Sequence, residues 1–365
     1  MSIIAGDSRV RDQDLNGAYN LLVNCGQARA GERLLLCYEQ GNLDFYDHAI
    51  VEDVRACAEE IGLEIIPYEL GFEPVIFGLS DRLQAAMAAA DLTVFLARVA
   101  DQMRFGSFSP DQRTILSYAL DSASLASPFG TVHYAGTLAL KQVVDAAIFG
   151  AGEVVVSCRA GTYFKGKIAA SPDGGDVNLR RFPMLVNTPA PASGFAGRIA
   201  LPGFLVGTGS KYYHPFGIVF ESQLFAVFEG NTLLGFQGQK ADEDKANQHL
   251  DMIADRFEID RNFVHSWHVG IHPKCYFDRN TVGHFERWSG SAFGNPRLLH
   301  MHTCGAYAPG EVCWNVVDPT LTADGITIWQ DGVLFPERVP GGSAILAEFD
   351  DLRQAFQAPD RRIGI

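Results

Sequence analysis

The chain lacks most of the signatures that would carry a nucleotide, a membrane or a polyanion. Neither GxGxxG nor GxxxxGKS/T occurs, so the glycine loops that cradle phosphates at a helix N-terminus are missing. GTGS at 207–210 is an isolated glycine turn outside the strand–helix half. No stretch approaches ~18 uninterrupted apolar residues, which excludes a spanning helix. The segment MSIIAGDSRVRDQD is interrupted by charge too early to read as a signal peptide. There is no run of Lys and Arg, and the net charge of −14 makes a surface that repels nucleic acid and anionic lipid. No CxxC pair occurs. Cys25, Cys37, Cys57, Cys158, Cys275, Cys304 and Cys313 are scattered, as expected for reduced thiols in a cytoplasm. HExxH and GxSxG are absent too, so neither a zinc-protease helix nor a serine nucleophile elbow is supported. No repeat of fixed period is present.

What is present is material for a large core. Apolar residues make up 47% of 365, a length that suits two domains or one large one. Residues 31–150 alternate strand with helix. ERLLLCYE reads as a buried strand. DHAIVEDVRACAEEIG then places Ile50, Val54, Cys57 and Ile61 on one helical face, with Gly62 as the stop. LEIIPYEL and DLTVFLARV repeat the strand, SDRLQAAMAAA reads as a capped helix, and further helices are expected around 110–125 and 133–148. Strands spaced by helices imply a parallel sheet covered on both faces. The character changes near Ala151. EVVVSCRAGTYFKGKI reads as two strands, and residues 171–195, rich in Pro, Gly and Ser, read as a loop. Residues 196–239 read as short antiparallel strands with a hairpin at EGN. ADEDKANQHLDMIADRF is an amphipathic helix, and ADGITIWQDGVLF a hairpin with two Asp-Gly turns. The expected fold is an α/β N-terminal domain with a parallel sheet (1–151), a β-rich α+β C-terminal domain (152–340) carrying the metal or catalytic site, and a peripheral tail (341–365).

Six of the ten histidines, His265, His268, His272, His284, His300 and His302, fall within one short region. Neutral imidazole is the commonest side-chain ligand for transition metals. Strand side chains alternate faces, so His300 and His302 of LLHMH share a face and Met301 takes the other. Glu311 and Cys313 likewise share a face. A tight link through Gly305, Pro309 and Gly310 would return Glu311 beside the histidines, and His268 of HVGIHP lies on a third segment. Two histidines and one carboxylate from three segments make a facial triad with open positions, the pattern of non-haem Fe(II). The expected metal ligands are His268, His302 and Glu311. His300 is then an outer or acid–base group, with His265 or His272 assisting protonation. The sequence leaves open whether His302 or His300 is the ligand. The same cluster also reads as hydrogen-bonded core histidines, or as an acid–base site without a metal. Tyr212, Tyr213, Trp267 and Trp288 are candidate pocket walls, His133 a helix-start residue and His214 a turn residue. Cys304 and Cys313 read as small buried hydrophobes rather than nucleophiles.

The order of helix, HVGIHP, histidine strand and PGEVCWNVVDPTLTADGITIWQDG resembles the thermophilic metallo-aminopeptidase (aminopeptidase T-like) family and its relatives, the 2,5-dihydroxypyridine 5,6-dioxygenases. The resemblance spans most of the chain, with Asp324-Gly325 and Asp331-Gly332 as its anchor. It implies an α/β domain followed by a catalytic domain, and a homodimer. His268 stands where the aminopeptidases carry a Glu and the dioxygenases carry a His ligand for a single iron. The family's later His-x-Asp pair falls on Glu311 and Cys313 in one register, and on Cys313 and Asn315 in another. That departure leaves too few carboxylates for a two-metal peptidase. The function expected from the resemblance is that of an oxidoreductase, a single-site Fe(II) dioxygenase acting on a small aromatic or N-heterocyclic substrate. Two alternatives stand beside it: a non-catalytic protein that binds a peptide or small-molecule ligand without metal, and a zinc metallo-aminopeptidase.

Overall fold

Leu34, Leu35, Leu36 and Cys37 are all fully buried, which only a strand covered on both faces allows. The computed structural model describes residues 16–41, 45–72, 78–103, 112–168, 179–209, 211–305 and 309–365. In it, β1 (Arg33–Glu39), β2 (Glu64–Leu70), β3 (Leu92–Leu96), β4 (Arg113–Ser117) and β7 (Arg180–Phe182) form a five-stranded parallel sheet in the order β2-β1-β3-β4-β7. The helix Ala49–Ile61 buries Ile50, Val51, Val54, Cys57 and Ala58, and ends at Gly62, whose φ of 83° needs a residue without Cβ. The helix Asp81–Ala88 starts at Ser80, whose hydroxyl oxygen accepts from the Leu83 N–H at 3.2 Å. The helix Tyr134–Phe149 starts at His133, whose Nδ1 accepts from the Ala135 N–H at 3.2 Å.

Two segments differ from expectation. Within the helix expected around 110–125, Arg113–Ser117 is a strand; Thr114, Ile115 and Leu116 are buried in mid-sheet. This run is too short and too β-branched for a buried helix. The helical turns begin only after Asp121, whose carboxylate caps the Ser124 N–H at 2.7 Å. Within the loop expected over 171–195, Arg180–Phe182 is the last strand of the parallel sheet, paired with Ile115–Ser117. Residues 171–178 lie outside those described.

The remaining strands form two antiparallel sheets. The larger joins β5 (Val154–Ser157), β6 (Tyr163–Gly166), β9 (Phe195–Ala200), β12 (Phe225–Glu229), β13 (Thr232–Gln237), β17 (Thr320–Ala323), β18 (Ile326–Gln330) and β19 (Val333–Leu334) in the order β13-β12-β9-β6-β5-β17-β18-β19. The smaller joins β8 (Ala190–Pro191), β10 (Phe204–Gly207), β11 (Gly217–Val219), β14 (Val264–Val269), β15 (Leu298–Thr303) and β16 (Val312–Val317) in the order β11-β10-β16-β15-β14-β8. The expected Asp-Gly turns are there, with Asp324 and Asp331 at φ of 48° and 49°, the left-handed residues that two-residue hairpins require.

The sheets are sealed by one row of large side chains. Trp267, Met301 and Trp314 lie side by side in register across β14, β15 and β16, each fully buried. Trp267 meets Phe195 and Phe164 edge-on at 5.5 and 6.0 Å, and Trp314 meets Phe228 at 6.2 Å. Strand alternation then turns the opposite face of the smaller sheet away from this core. The last 25 residues hold two short helices, Gly342–Glu348 and Asp350–Gln357. They touch both halves: the Asp351 carboxylate accepts from the His133 N–H at 2.7 Å, and the Ile363 carbonyl accepts from Trp288 Nε1–H at 2.7 Å. Among the described residues no helix is long and apolar enough to cross a membrane.

One buried guanidinium pairs within the parallel-sheet half and reaches across to the other. Arg98, just after β3, grips Glu39 through Nε and Nη2 at 2.8–3.0 Å and reaches Glu286 at 2.9 Å. Its guanidinium lies over the rings of Phe45 and Phe72, at 4.8 and 4.1 Å from their centres. Removing one member of a buried pair strands the other charge. Arg98→Met is therefore expected to cost about 3–5 kcal/mol in urea unfolding, because it leaves the Glu39 carboxylate buried and unpaired. A cost below about 1 kcal/mol would mean that the pair contributes no more than a surface salt bridge.

Candidate metal centre

The strand register decides which side chains meet. Trp267, Met301 and Trp314 take one face of the smaller sheet, so Ser266, His268, His300, His302, Cys313 and Asn315 take the other. His268 lies directly opposite His300, and His302 directly opposite Cys313. His268, His300 and His302 converge: each offers one ring nitrogen, and these atoms all lie within 4.8 Å of one another. The three rings are 4–5% exposed at residue level. The His268 and His300 rings stack at 4.9 Å, and His302 meets each edge-on at 5.0 and 5.1 Å. Phe293 stacks on His300 at 4.2 Å and is itself backed by Trp288 at 5.2 Å.

The state of the rings suits a metal. His268 Nδ1 lies 2.9 Å from the Asn187 carbonyl. A carbonyl can only accept, so Nδ1 carries the proton and the Nε2 lone pair is left for a ligand. Burial, then the neighbouring His300 and His302 and the positive Arg181, hold His268 far below the usual imidazole range. It is thus neutral, the form that binds metal. Asn187 itself is locked by its side-chain oxygen, which accepts the Val269 N–H at 2.6 Å. Glu311, 2% exposed, brings Oε1 to 2.9 Å from His302 Nδ1. The two atoms are in close contact without the alignment of a well-formed hydrogen bond. Its backbone carbonyl accepts from the Tyr213 hydroxyl at 2.8 Å. A buried group of three imidazoles, two of them with an oxygen atom 2.9 Å from a ring nitrogen, fits a single metal ion.

The structure brings together His268, His300, His302 and Glu311, with the carboxylate behind His302. His265 lies outside the group of three, at an irregularity in the strand. Simple alternation would send it to the opposite face from His268, but the pairing slips between Val264 and Ser266, and such bulges re-aim a side chain. His302 and Glu311 both act on its ionisation, which burial pushes down. Its Nδ1 lies 3.0 Å from the Ser266 hydroxyl. His272 does not join the group of three: it is fully buried, packed edge-on to Phe129 at 5.1 Å, with Nδ1 accepting the Lys274 N–H at 3.3 Å. Of the expected pocket walls, Trp288 backs Phe293, but Trp267 faces the inter-sheet core because its strand position has the opposite parity to His268. Cys313 is buried with Sγ 2.7 Å from the Thr208 hydroxyl, and Cys304 is buried beside the Leu250 carbonyl. Asn187, Phe293 and Arg181 were not visible as site residues in the sequence. Only the apolar or loop context of each was readable, not its place beside the histidines.

No protein-family model and no curated protein matches the chain. Among solved structures, it is similar to the 2,5-dihydroxypyridine dioxygenase from Pseudomonas putida KT2440, at 13% identity and a TM-score of 0.59, over 88% of this chain and 96% of that one. Wild-type AmpT from Thermus thermophilus matches at 10% identity and a TM-score of 0.47, over 87% of this chain and 98% of that one. The first likeness shows a shared fold, the one that the resemblance of the C-terminal half implies.

Buried neutral histidines make stability depend on pH. Burial holds His249, on the helix Lys240–Phe257, at about 4 and His272 at about 3, against an ordinary 6.5. Below 6.5 the unfolded chain takes up protons that the folded rings refuse, so stability falls as the pH drops toward about 4. Urea midpoints of metal-free protein are expected to fall steadily across that window. His249→Leu, which removes a ring whose Nε2 has no hydrogen-bond partner, should flatten the slope. An unchanged slope would show that His249 is not held neutral.

Proposed function

We propose that the chain is a metal-dependent enzyme in which His268, His300 and His302 hold one Fe(II), and that it oxidises a small aromatic or N-heterocyclic substrate with O₂. The observation that carries this reading is the convergence of three buried imidazoles on one sheet face, within 4.8 Å of one another. It exchanges the roles expected for His300 and Glu311: the histidine becomes the ligand and the carboxylate stands behind His302. Outer partners of this kind orient metal-bound histidines and raise their basicity. Three ligands leave positions open for exogenous groups, and bound Fe(II) would supply the redox chemistry with O₂. The fold shared with a 2,5-dihydroxypyridine dioxygenase supports the choice of iron. In this reading Phe293 and Trp288 keep water from one side of His300. His265, whose neutral form burial favours, takes up or returns a proton. A cytoplasmic homodimer belongs to the same reading; all seven cysteines are free thiols.

Zinc is the second metal to consider, since three histidines backed by a carboxylate also suit a zinc-bound water. A two-metal peptidase has less support. Among the described residues the histidine trio is the only group of three or more potential ligands, and bridging carboxylates are missing from it.

Metal content of protein purified without oxygen and without a His tag tests the proposal. About one iron per chain is expected in the wild type, and loss of it in each of His268→Ala, His300→Ala and His302→Ala. Glu311→Gln should retain binding but weaken it by roughly 10–100-fold. Loss of metal in Glu311→Gln as complete as in the histidine variants, with His300→Ala unaffected, would return the carboxylate to the ligand set. Absence of metal from wild type even after reconstitution would make the face a ligand-binding cleft. Oxygen uptake with hydroxylated pyridines and catechols then separates iron from zinc chemistry.

A further inference from the structure

Asn315 sits on β16 directly opposite His300, on the same face as the histidine trio. It is completely buried, and neither its Oδ1 nor its Nδ2 has a hydrogen-bond partner. Few interior amides are left so: an unsatisfied buried polar group costs about 1–3 kcal/mol, and Asn315 presents both a donor and an acceptor. Its neighbours on β16, Trp314 and Val316, are apolar and face the other sheet, so nothing on its own strand requires an amide here. The strain of burying it is met when a group seated in the histidine site pairs with it.

The charge of that site selects the group. Imidazole binds a metal as a neutral donor, so a divalent ion held by three of them keeps its charge. The one nearby carboxylate, Glu311, lies behind His302. Arg181, buried on the end strand of the parallel sheet, adds positive field at His268. A centre of this kind favours an anionic oxygen or nitrogen donor in its open positions. An amide N–H pointing at such a donor adds a charge-assisted hydrogen bond, which is stronger than one between neutral groups.

We propose that Asn315 is the ligand-binding arm of the centre: its carboxamide donates Nδ2–H to an anionic donor atom, such as a phenolate or enolate oxygen of the substrate, bound beside His300. The proposal rests on the metal reading above. Asn315 is not a metal ligand in it, and no bond is made or broken by the amide.

Azide is a suitable anionic probe, titrated into cobalt(II)-loaded protein and followed by the visible spectrum of the ion. Wild type should bind cobalt and then azide. Asn315→Ala should keep cobalt stoichiometry and weaken azide by about tenfold, the loss of one good hydrogen bond. Asn315→Asp preserves the shape and so guards against simple misfolding. It should bind cobalt at least as tightly as wild type and azide more weakly than Asn315→Ala does, because the new carboxylate repels the anion. Equal azide affinity in wild type and both variants overturns the proposal, and leaves the amide to a structural water. Loss of cobalt in Asn315→Ala also overturns it, by making Asn315 a ligand or a scaffold residue. Failure of wild type to bind cobalt at all is a different result: it removes the metal centre itself.

Discussion

The register of β14, β15 and β16 is the constraint on which the rest depends. On one face it lines up Trp267, Met301 and Trp314, which seal the two antiparallel sheets. On the other it lines up His268, His300, His302 and Asn315. Because side chains alternate with period two, a slip of one residue would carry every member of both rows to the wrong side. The tryptophans and phenylalanines between the sheets make that slip prohibitive, since polar imidazoles would have to replace them in the core. The packing of the core thus positions the histidines without any contact between the two rows.

Outer groups then set what the rings can do. Asn187 comes from the stretch between β7 and β8, far away in sequence, and fixes the proton of His268 through its carbonyl. Glu311 follows the turn after β15 and faces His302. Phe293, from the short helical stretch before β15, presses flat on His300. Three different kinds of neighbour, a backbone acceptor, a carboxylate and an aromatic face, thus surround three chemically identical side chains. The centre is asymmetric for that reason, although its donors are alike.

Much of this was legible in the sequence, and the gaps have physical causes. Apolar runs after glycine and helices with 3.6-residue periodicity gave away β1, the helix Ala49–Ile61 and the helix Lys240–Phe257. Alternation in LLHMH put His300 and His302 together, and the His268 segment could be recognised as a third contributor. Alternation says which face a residue takes and nothing about how far its side chain reaches. The positions of His300 and Glu311 relative to the other rings were therefore beyond it. The bulge between Val264 and Ser266 has no compositional mark, so counting alone does not fix the face that His265 takes. Arg113–Ser117 misleads because a five-residue buried strand and a turn of buried helix look alike until the neighbouring strands are known. Asn187 carries no motif, and Asn315 entered only as the end of one possible register of the family's His-x-Asp pair; what distinguishes them is a partner in one case and the want of one in the other.

The clamp at Arg98 also reaches the wall of the histidine face. Glu286 belongs to the same helix as Trp288, and that tryptophan backs the ring lying on His300. Moving the parallel-sheet half as a rigid body would carry Arg98 along with Glu39, Phe45 and Phe72, and would break its contact with Glu286 on the helix that bears Trp288. A displacement of either half is therefore felt, through Glu286 and Trp288, at the ring that lies on His300.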